Sequence, residues 1–296
     1  MTAPDRVTPP ATAQPGRGTS SGMLILLLTS VASFMVILDA LVVVTALPSI
    51  HRDLGGGIGT LQWTVSAYTI AFGAGILTAA ALGDRLGRKR VYVAGLALFA
   101  AASAACALAP NSTTLITFRV LQGMGAAIIM PLGLTLLTSA FPQERRGAVV
   151  GIMGGVTGLA IACGPLVGGA VTQDLTWHWI FWLNVPVGAI ALVGAWLCLP
   201  ESRGPQHRLD IPALVLVSGG VGVLIWGLVQ GSQAGWASTQ GLTGLILGPA
   251  LILAFVAWEA RAADPMIPLQ VFRSATFSSA VSTQFLMSAA IYSAAF

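Results

Sequence analysis

The sequence predicts an all-α integral membrane protein, and three observations support this prediction. Hydrophobic residues make up 55% of the 296 residues and charged residues only 8%, whereas soluble domains contain roughly 25% charged residues. The chain contains nine apolar runs, each close to the ~20 residues that a membrane-spanning helix needs. Its basic residues fall in alternate loops between those runs. A chain with so few charges cannot cover a water-facing surface with polar groups.

The predicted spans occupy most of the chain. In order, they are placed at about residues 24–48, 60–82, 91–109, 113–140, 147–171, 179–199, 211–231, 241–258 and 275–296. Residues 1–23 are polar and rich in Pro, Thr and Ser, which predicts a disordered cytoplasmic tail. The first apolar run is too long for the core of a signal peptide and contains Asp39, so we expect it to remain as a span.

The basic residues predict the orientation of the spans. Twelve of the fourteen Lys and Arg residues lie in the N-terminal tail and in every second loop, whereas the other loops contain only Arg52. Basic loops resist translocation, so the tail and its set of loops are predicted to be cytoplasmic. The expected location is the plasma membrane of a bacterium, with many passes. Because an odd span count ends in a bare apolar run, we also expect further helices in the native protein, and no transport by residues 1–296 alone.

Only one acidic residue, Asp39, and one basic residue, Arg119, fall within the predicted spans. Charges in hydrocarbon are costly, so they usually face a bundle interior or a water-filled cavity. A rise of about 1.5 Å per residue places both near or somewhat outside the midplane, where one cavity could hold both. A carboxylate ionises less readily in a low-dielectric cavity and more readily beside a guanidinium. The functional prediction is proton coupling, in which a change in their separation makes Asp39 bind and release a proton. The alternative is a static ion pair that only fixes helix packing.

The most basic loop separates the second and third predicted spans. It has the spacing D-R-x-G-R-K and includes Gly83, Asp84, Arg85, Gly87, Arg88 and Lys89. This spacing resembles the loop between the second and third helices of major facilitator superfamily transporters, although Ala80 replaces the family's leading glycine. The resemblance implies that the loop controls the switch between conformations. The alternative is a basic loop that only sets the topology.

Two further motifs resemble the same family. In span four, Arg119, Gln122 and Gly123 share one helix face and resemble the R-x-x-Q-G motif, whose arginine is implicated in proton transfer. In span five, four residues resemble the "antiporter" motif of facilitator exporters: Gly164, Pro165, Gly168 and Gly169. Proline bends a helix and glycine permits close helix contact. Here Ala160 replaces a usual glycine. For both motifs the alternative is ordinary packing of small residues.

Three other segments are similar to the drug:proton antiporter family with fourteen spans. Span one ends in Leu38-Asp39-x6-Ala46-Leu47-Pro48, and the W-x-W-I-F-x-x-N-x-P pattern begins at Trp177, with His178 where arginine is usual. Span two begins with the spacing Q-W-x-x-x-A-Y. Its Gln62 and Tyr68, together with Gln122, are predicted to line the substrate cavity. The alternative for span two is an interfacial tryptophan and a core tyrosine.

The resemblance implies four segments: the tail 1–23, a six-helix bundle over 24–199, two inserted helices over 200–258, and a linker with the first helix of a second half over 259–296. It implies proton-coupled export of lipophilic small molecules by alternating access. The expected partners are the bilayer, protons and a small-molecule substrate, with no nucleic acid, cofactor or metal, in a monomeric protein.

Three alternatives to export remain at this point. One is a proton-coupled nutrient symporter on the same fold, and the others are a membrane enzyme and a scaffold protein. The sequence contains no G-x-x-x-x-G-K-[ST] segment, which argues against ATP-driven transport by this chain. Its three histidines lie in separate loops, which argues against an enzyme.

Overall fold

The computed structural model describes residues 19–204, 210–262 and 269–295, and the part of the predicted tail before residue 19 lies outside them. The regular secondary structure of the described chain consists of helices and includes no strand. Its helices are α1 (Thr19–Leu54), α2 (Ile58–Leu86), α3 (Arg88–Ala107), α4 (Ser112–Ala140), α5 (Gln143–Asp174), α6 (His178–Trp182), α7 (Asn184–Cys198), α8 (Ile211–Ala234), α9 (Thr239–Glu259) and α10 (Ala275–Ala295), with a 3-10 helix at Leu269–Arg273 before α10.

Eight helical segments in the described chain are long and apolar enough to cross a membrane, and they match the first eight predicted spans. The sixth span consists of α6 and α7, which are separated at Leu183. Pro186 explains this break, because proline has no N–H to donate to the carbonyl of Trp182 one turn earlier. Helix α10 occupies the ninth predicted span but is not among the eight. Its 21 residues include five serines, two threonines and a glutamine, which lower its hydropathy.

The predicted loop 83–90 is wrong in its extent. Helix α2 continues to Leu86 and α3 begins at Arg88, so Gly87 alone connects them. Gly87 has φ +110°, a conformation that glycine adopts far more readily than other residues. Hydropathy marks only the part of a helix that lies in lipid, whereas backbone hydrogen bonding continues through charged residues until a conformation such as this one ends it.

The first six spans form a bundle in which α1, α3, α4 and α7 share a core. The two largest hydrophobic clusters of the described residues lie along the bundle. One is built around Met35, Leu96 and Leu132, and the other around Val43, Leu115 and Phe181. Many large apolar side chains on the outside are exposed, as expected for surfaces that face lipid.

Helices α8 and α9 form a hairpin with close backbone contact. A Cβ added at Gly227 would lie 2.5 Å from the Cα of Gly244, so only glycine fits there. The hairpin reaches the bundle mainly through α8 and α2, where Thr78 and Ser218 share a hydrogen bond of 2.8 Å. The described side chains of α10 are almost all exposed.

Candidate functional site: a buried charge network

Asp39 of α1 and Arg119 of α4 form an ion pair inside the bundle. The Nη1 atom of Arg119 donates to Oδ2 of Asp39 at 2.6 Å, and neither side chain is exposed. Along α1, Asp39 lies between Val36, which belongs to the first hydrophobic cluster, and Val42, which belongs to the second. The two intramembrane charges therefore share one site, and in this conformation that site is closed to solvent.

The other carboxylate oxygen of Asp39 is bound by two amides. Oδ1 accepts a hydrogen bond of 2.9 Å from Nε2 of Gln122 and one of 2.7 Å from Nδ2 of Asn184. All groups that contact the carboxylate are donors. An ionised carboxylate is an acceptor only, whereas a protonated one must also donate. A protonated Asp39 would therefore need an acceptor that this set of donors does not provide.

Arg119 has partners other than Asp39. Its Nε donates to the carbonyl of Thr64 at 3.2 Å and its Nη1 also donates to Oε1 of Gln122 at 2.8 Å. Its guanidinium carbon lies 4.1 Å from the centre of the Tyr68 ring, a distance at which a cation is attracted to the ring face. These contacts do not depend on the charge of Asp39. Arg119 therefore remains held when Asp39 is neutralised.

Glycines on α4 bring the neighbouring helices close enough to build the site. A Cβ added at Gly123 would lie 2.5 Å from the carbonyl oxygen of Tyr68 on α2, and one added at Gly125 would lie 2.8 Å from the backbone nitrogen of Phe99 on α3. These approaches place Thr64 and Tyr68 against Arg119. The R-x-x-Q-G spacing thus supplies both the polar side chains and the close helix contact.

Asn184 and Ser103 belong to the site although neither was among the site residues predicted from the sequence. Nδ2 of Asn184 donates to Oγ of Ser103 at 3.1 Å, and that hydroxyl donates to the carbonyl of Phe181 at 2.9 Å. Asn184 and Ser103 are 5% and 0% exposed. One signal was available, because Asn184 is the only asparagine within the predicted spans.

The three predicted cavity residues lie in two places. Gln122 and the ring of Tyr68 contact the charge network and are buried. Gln62 is exposed and lines a separate cavity of about 260 Å³ together with Ser66 and Gln233. This cavity lies between the C-terminal parts of α1 and α8 and the N-terminal part of α2. The structure therefore does not bring Gln62 to the network.

The residues of the predicted switch loop contact the segment that follows α7. The backbone N–H of Lys89 donates to Oε1 of Glu201 at 3.1 Å. The backbone N–H of Arg88 donates to the carbonyl of Ser202 at 2.9 Å. The first N–H groups of a helix have no partner within it. Since Gly87 has no side chain to cap α3, the segment after α7 supplies the acceptors.

A short ion pair joins the residues on either side of the turn at Gly87. Nε of Arg88 donates to Oδ1 of Asp84 at 2.7 Å, and the backbone N–H of Gly204 donates to the carbonyl of Asp84 at 3.1 Å. Arg85 is exposed, whereas Gly83 is buried against Leu132 of α4. The turn is thus fixed to both α4 and the segment after α7.

The glycines of the predicted antiporter motif on α5 face different surroundings. A Cβ added at Gly164 would lie 2.8 Å from the Cβ of Leu41, and one at Gly168 would overlap the hydroxyl of Thr45. Leu41 and Thr45 lie on α1 beyond Asp39. A Cβ added at Gly169 would contact no neighbouring helix, and Pro165 lies within α5. Gly164 and Gly168 therefore hold α5 against the helix that contains Asp39.

Comparison with known proteins identifies one family over most of the chain. The family model described as Major Facilitator Superfamily matches residues 29–296. The tetracenomycin C resistance and export protein of Streptomyces glaucescens is 36% identical, covering 88% of this chain and 49% of that protein. The multidrug resistance protein Stp of Mycobacterium tuberculosis (strain CDC 1551 / Oshkosh) is 35% identical, covering 91% and 51%. The chain thus spans about half the length of these relatives.

Solved structures share the fold at low sequence identity. A crystal structure of the peptide transporter POT in complex with sulfate matches with a TM-score of 0.61 and 18% identity, covering 84% of this chain and 55% of that one. The partially occluded, inward-open xylose transporter XylE from E. coli matches with a TM-score of 0.55 and 13% identity, covering 81% and 60%. At these identities the likeness concerns the fold alone.

Proposed function

This chain belongs to the Major Facilitator Superfamily, and from this membership and its buried charge network we propose that it takes part in proton-coupled export of lipophilic small molecules. Export is supported by relatives whose names include tetracenomycin C resistance and export, multidrug resistance and methylenomycin A resistance. The family consists of transporters, not enzymes. The observation on which the coupling proposal rests is the pair of Asp39 and Arg119 buried between two hydrophobic clusters.

Asp39 is the proposed proton carrier. Its carboxylate accepts hydrogen bonds from three side chains, and the site is closed. A proton must therefore reach Asp39 in a conformation that opens the site to one side of the membrane. Leaving Arg119 as an unpaired buried charge would cost roughly 3–5 kcal/mol. Its contacts with Thr64, Gln122 and Tyr68 reduce this cost, although its Nη2 has no hydrogen-bond partner among the described residues.

The switch between inward- and outward-open states is proposed to involve the turn at Gly87. Asp84, Arg88 and Glu201 link the ends of α2, α3 and the sixth span on one face. Rearrangement of the helices around Asp39 would change the spacing of these ends. The contacts at the turn would then stabilise one state over the other.

The division of the chain is part of the same proposal. Helices α1 to α7 are assigned to a six-span bundle over 24–199, and α8 and α9 to two extra helices over 200–258. Residues 259–296 are assigned to a linker and the first helix of a second half, as in exporters with fourteen spans. The mutual packing of α8 and α9, and their contact with the bundle through α2, support this assignment.

Transport in inside-out vesicles tests the coupling. With the full-length native protein, an imposed acid-inside gradient is expected to drive accumulation of ethidium, a lipophilic cation that the anionic Asp39 would attract and Arg119 would repel only in part. The variant Asp39→Asn is expected to abolish this accumulation. Glu144→Gln removes an exposed carboxylate and serves as the matched control. If Asp39→Asn retains full proton-driven transport, Asp39 is not the coupling residue.

The direction of flux separates an exporter from a nutrient symporter on the same fold. An antiporter moves its substrate against the proton flow, so acid-inside vesicles accumulate substrate. A symporter would instead accumulate substrate from an acidic outside. The resistance and export names of the relatives favour antiport. Accumulation driven only by external acid would contradict it.

A further inference from the structure

We propose that the side chain of Asn184 reverses its amide when Asp39 takes up a proton, and that Ser103 passes this change to the break in the sixth span. Asn184 and Ser103 would thereby act as positioning residues. This inference rests on the proposed proton-binding role of Asp39. It assigns a task to Asn184, which the W-x-W-I-F-x-x-N-x-P motif includes without a stated role, and to Ser103, which belongs to none of the motifs.

Only one carboxylate oxygen of Asp39, Oδ1, is placed to take up the proton. Oδ2 of Asp39 lies 2.6 Å from the guanidinium of Arg119, which can only donate. Oδ1 contacts two amides, those of Gln122 and Asn184. A proton on Oδ1 makes Asp39 a donor at that atom. One of the amides must then present its oxygen in place of its nitrogen.

Gln122 is held against such a reversal. Its Oε1 accepts from Nη1 of Arg119 at 2.8 Å and lies 3.7 Å from the thiol sulfur of Cys106. Reversing this amide would turn its NH₂ group towards the guanidinium, donor against donor. The other titratable side chains near Asp39 contact Gln122 or Arg119 and not Asn184. Cys106 contacts Gln122, and Tyr68 contacts Arg119.

Asn184 is free to reverse. Both of its described hydrogen bonds are made by Nδ2, one to Asp39 and one to Oγ of Ser103. Its oxygen accepts no hydrogen bond from the described residues. After reversal, that oxygen accepts from the protonated Asp39 and faces the hydroxyl of Ser103. No covalent bond in the chain breaks, and the only atom added is the proton on Asp39.

The hydroxyl of Ser103 must then turn. In the present arrangement it accepts from Asn184 and donates to the carbonyl of Phe181 at 2.9 Å. Once the oxygen of Asn184 faces it, the hydroxyl of Ser103 donates to that oxygen. It then no longer donates to the carbonyl of Phe181. Phe181 lies in α6, one residue before the helix ends at Trp182. The charge of Asp39 is thereby transmitted to the point where the sixth span is already interrupted.

The chain is well suited to a spectroscopic test because it contains only two asparagines, Asn111 and Asn184. We would label the side-chain amide of asparagine in this chain and record infrared difference spectra between acid and neutral pH. Asn111 caps α4 on the surface, and Asn111→Ser leaves a single labelled site. The expected result is a shift of the Asn184 amide band that accompanies the carboxylic acid band of Asp39. Both signals are expected to vanish in Asp39→Ala, which adds no labelled asparagine.

The outcomes separate this inference from the proposed function. An Asp39 acid band without an Asn184 shift would overturn the relay and leave Asp39 as a proton carrier. Absence of the acid band at every pH would overturn both. An Asn184 shift that persists in Asp39→Ala would also overturn the relay, because the shift would then have another cause.

A matched pair of serine variants tests the last step in vesicles that contain the full-length native protein. Ser103→Ala is expected to keep the Asn184 shift but to lower proton-driven ethidium accumulation roughly fivefold to tenfold, the effect of losing about one hydrogen bond. Ser33→Ala makes the same change at a buried serine whose hydroxyl has no partner in the described chain, and it should leave accumulation unchanged. Accumulation in Ser103→Ala equal to that of the wild type would overturn the transmission to Phe181.

Discussion

Arg119 neutralises the buried carboxylate of Asp39, and its removal is expected to destabilise the bundle. In Arg119→Leu the carboxylate keeps its two amide partners but loses its counter-ion. Removing one partner of a buried pair typically costs about 3–5 kcal/mol. We expect a correspondingly lower midpoint of thermal unfolding for the purified protein in detergent.

A double variant provides the control for that prediction. In Asp39→Asn with Arg119→Leu neither charge remains, so much of the lost stability should return, as is general when a buried pair is replaced as a whole. If the double variant is as unstable as the sum of both single variants, the two charges are not energetically coupled.

Individual residues of the site differ in how far the sequence predicts them. Asp39 and Arg119 are recognisable because a charge inside a span is costly and therefore rare. Gln122 is recognisable because it shares a helix face with Arg119. Asn184 and Ser103 lie 81 residues apart in sequence and are uncharged. Neither insertion cost nor helical spacing relates them to Asp39, and only the closed bundle brings them together.

Among the helices, the packing of α5 on α1 gives a sharp contrast between adjacent glycines. A methyl group at Gly168 would overlap the side chain of Thr45, whereas one at Gly169 meets no atom. Gly168→Ala is expected to lower stability by about 1–3 kcal/mol through overpacking. Gly169→Ala should be neutral or stabilise α5 by up to about 1 kcal/mol, because alanine favours helix. Unfolding midpoints of the two variants measure this, and equal midpoints would contradict the packing.

The turn between α2 and α3 gives a second prediction. Gly87 has φ +110°, and a Cβ there would lie 2.8 Å from the carboxylate of Glu201. Gly87→Ala is expected to cost about 1–3 kcal/mol in backbone strain and to displace the acceptor of the Lys89 N–H. Gly59→Ala, at a helical glycine of α2 with open surroundings, is the control. Similar unfolding midpoints for both variants would show that the turn tolerates a side chain.

The predicted elements were most accurate where lipid dictates them. Eight runs of apolar residues gave eight spans, because a helix must satisfy its backbone hydrogen bonds internally in hydrocarbon. The ends were less accurate, as at Gly87, since a helix continues past the lipid boundary. The interruption at Leu183 was also missed. Pro186 lies inside an otherwise uniform apolar run, and a proline there predicts either a kink or a break.

The arrangement of the helices in the whole molecule could not be read from hydropathy. In a soluble bundle the apolar stripe of each helix identifies its buried face. Here lipid-facing and core-facing surfaces are both apolar, so periodicity does not distinguish them. Small residues are the better guide, and Gly123, Gly125 and Gly168 do mark close contacts. They do not say which helix makes the contact, which is why the neighbours of α8 were not predicted.

The charge network lies entirely within the first six spans, which leads to a prediction for a shortened chain. Its members come from α1, α2, α3, α4, α6 and α7, and none of its described hydrogen bonds reaches α8 or α9. A chain that ends at residue 204 should therefore keep the network. The face of α2 that α8 covers would be exposed to lipid, at little cost for an apolar surface.

This prediction can be measured without transport. The change Arg119→Leu is introduced into the shortened chain and into the 296-residue chain, both reconstituted in bilayers, and the loss in unfolding midpoint is compared. Effects at independent, distant sites normally add, so the two losses should agree. The variant Ser218→Ala, which affects only the contact of α8 with Thr78, controls for stability that the hairpin contributes in the longer chain. A loss in the shortened chain much smaller than in the longer one would mean that α8 and α9 help to hold Asp39 and Arg119 together. The bundle would then not be an independent unit.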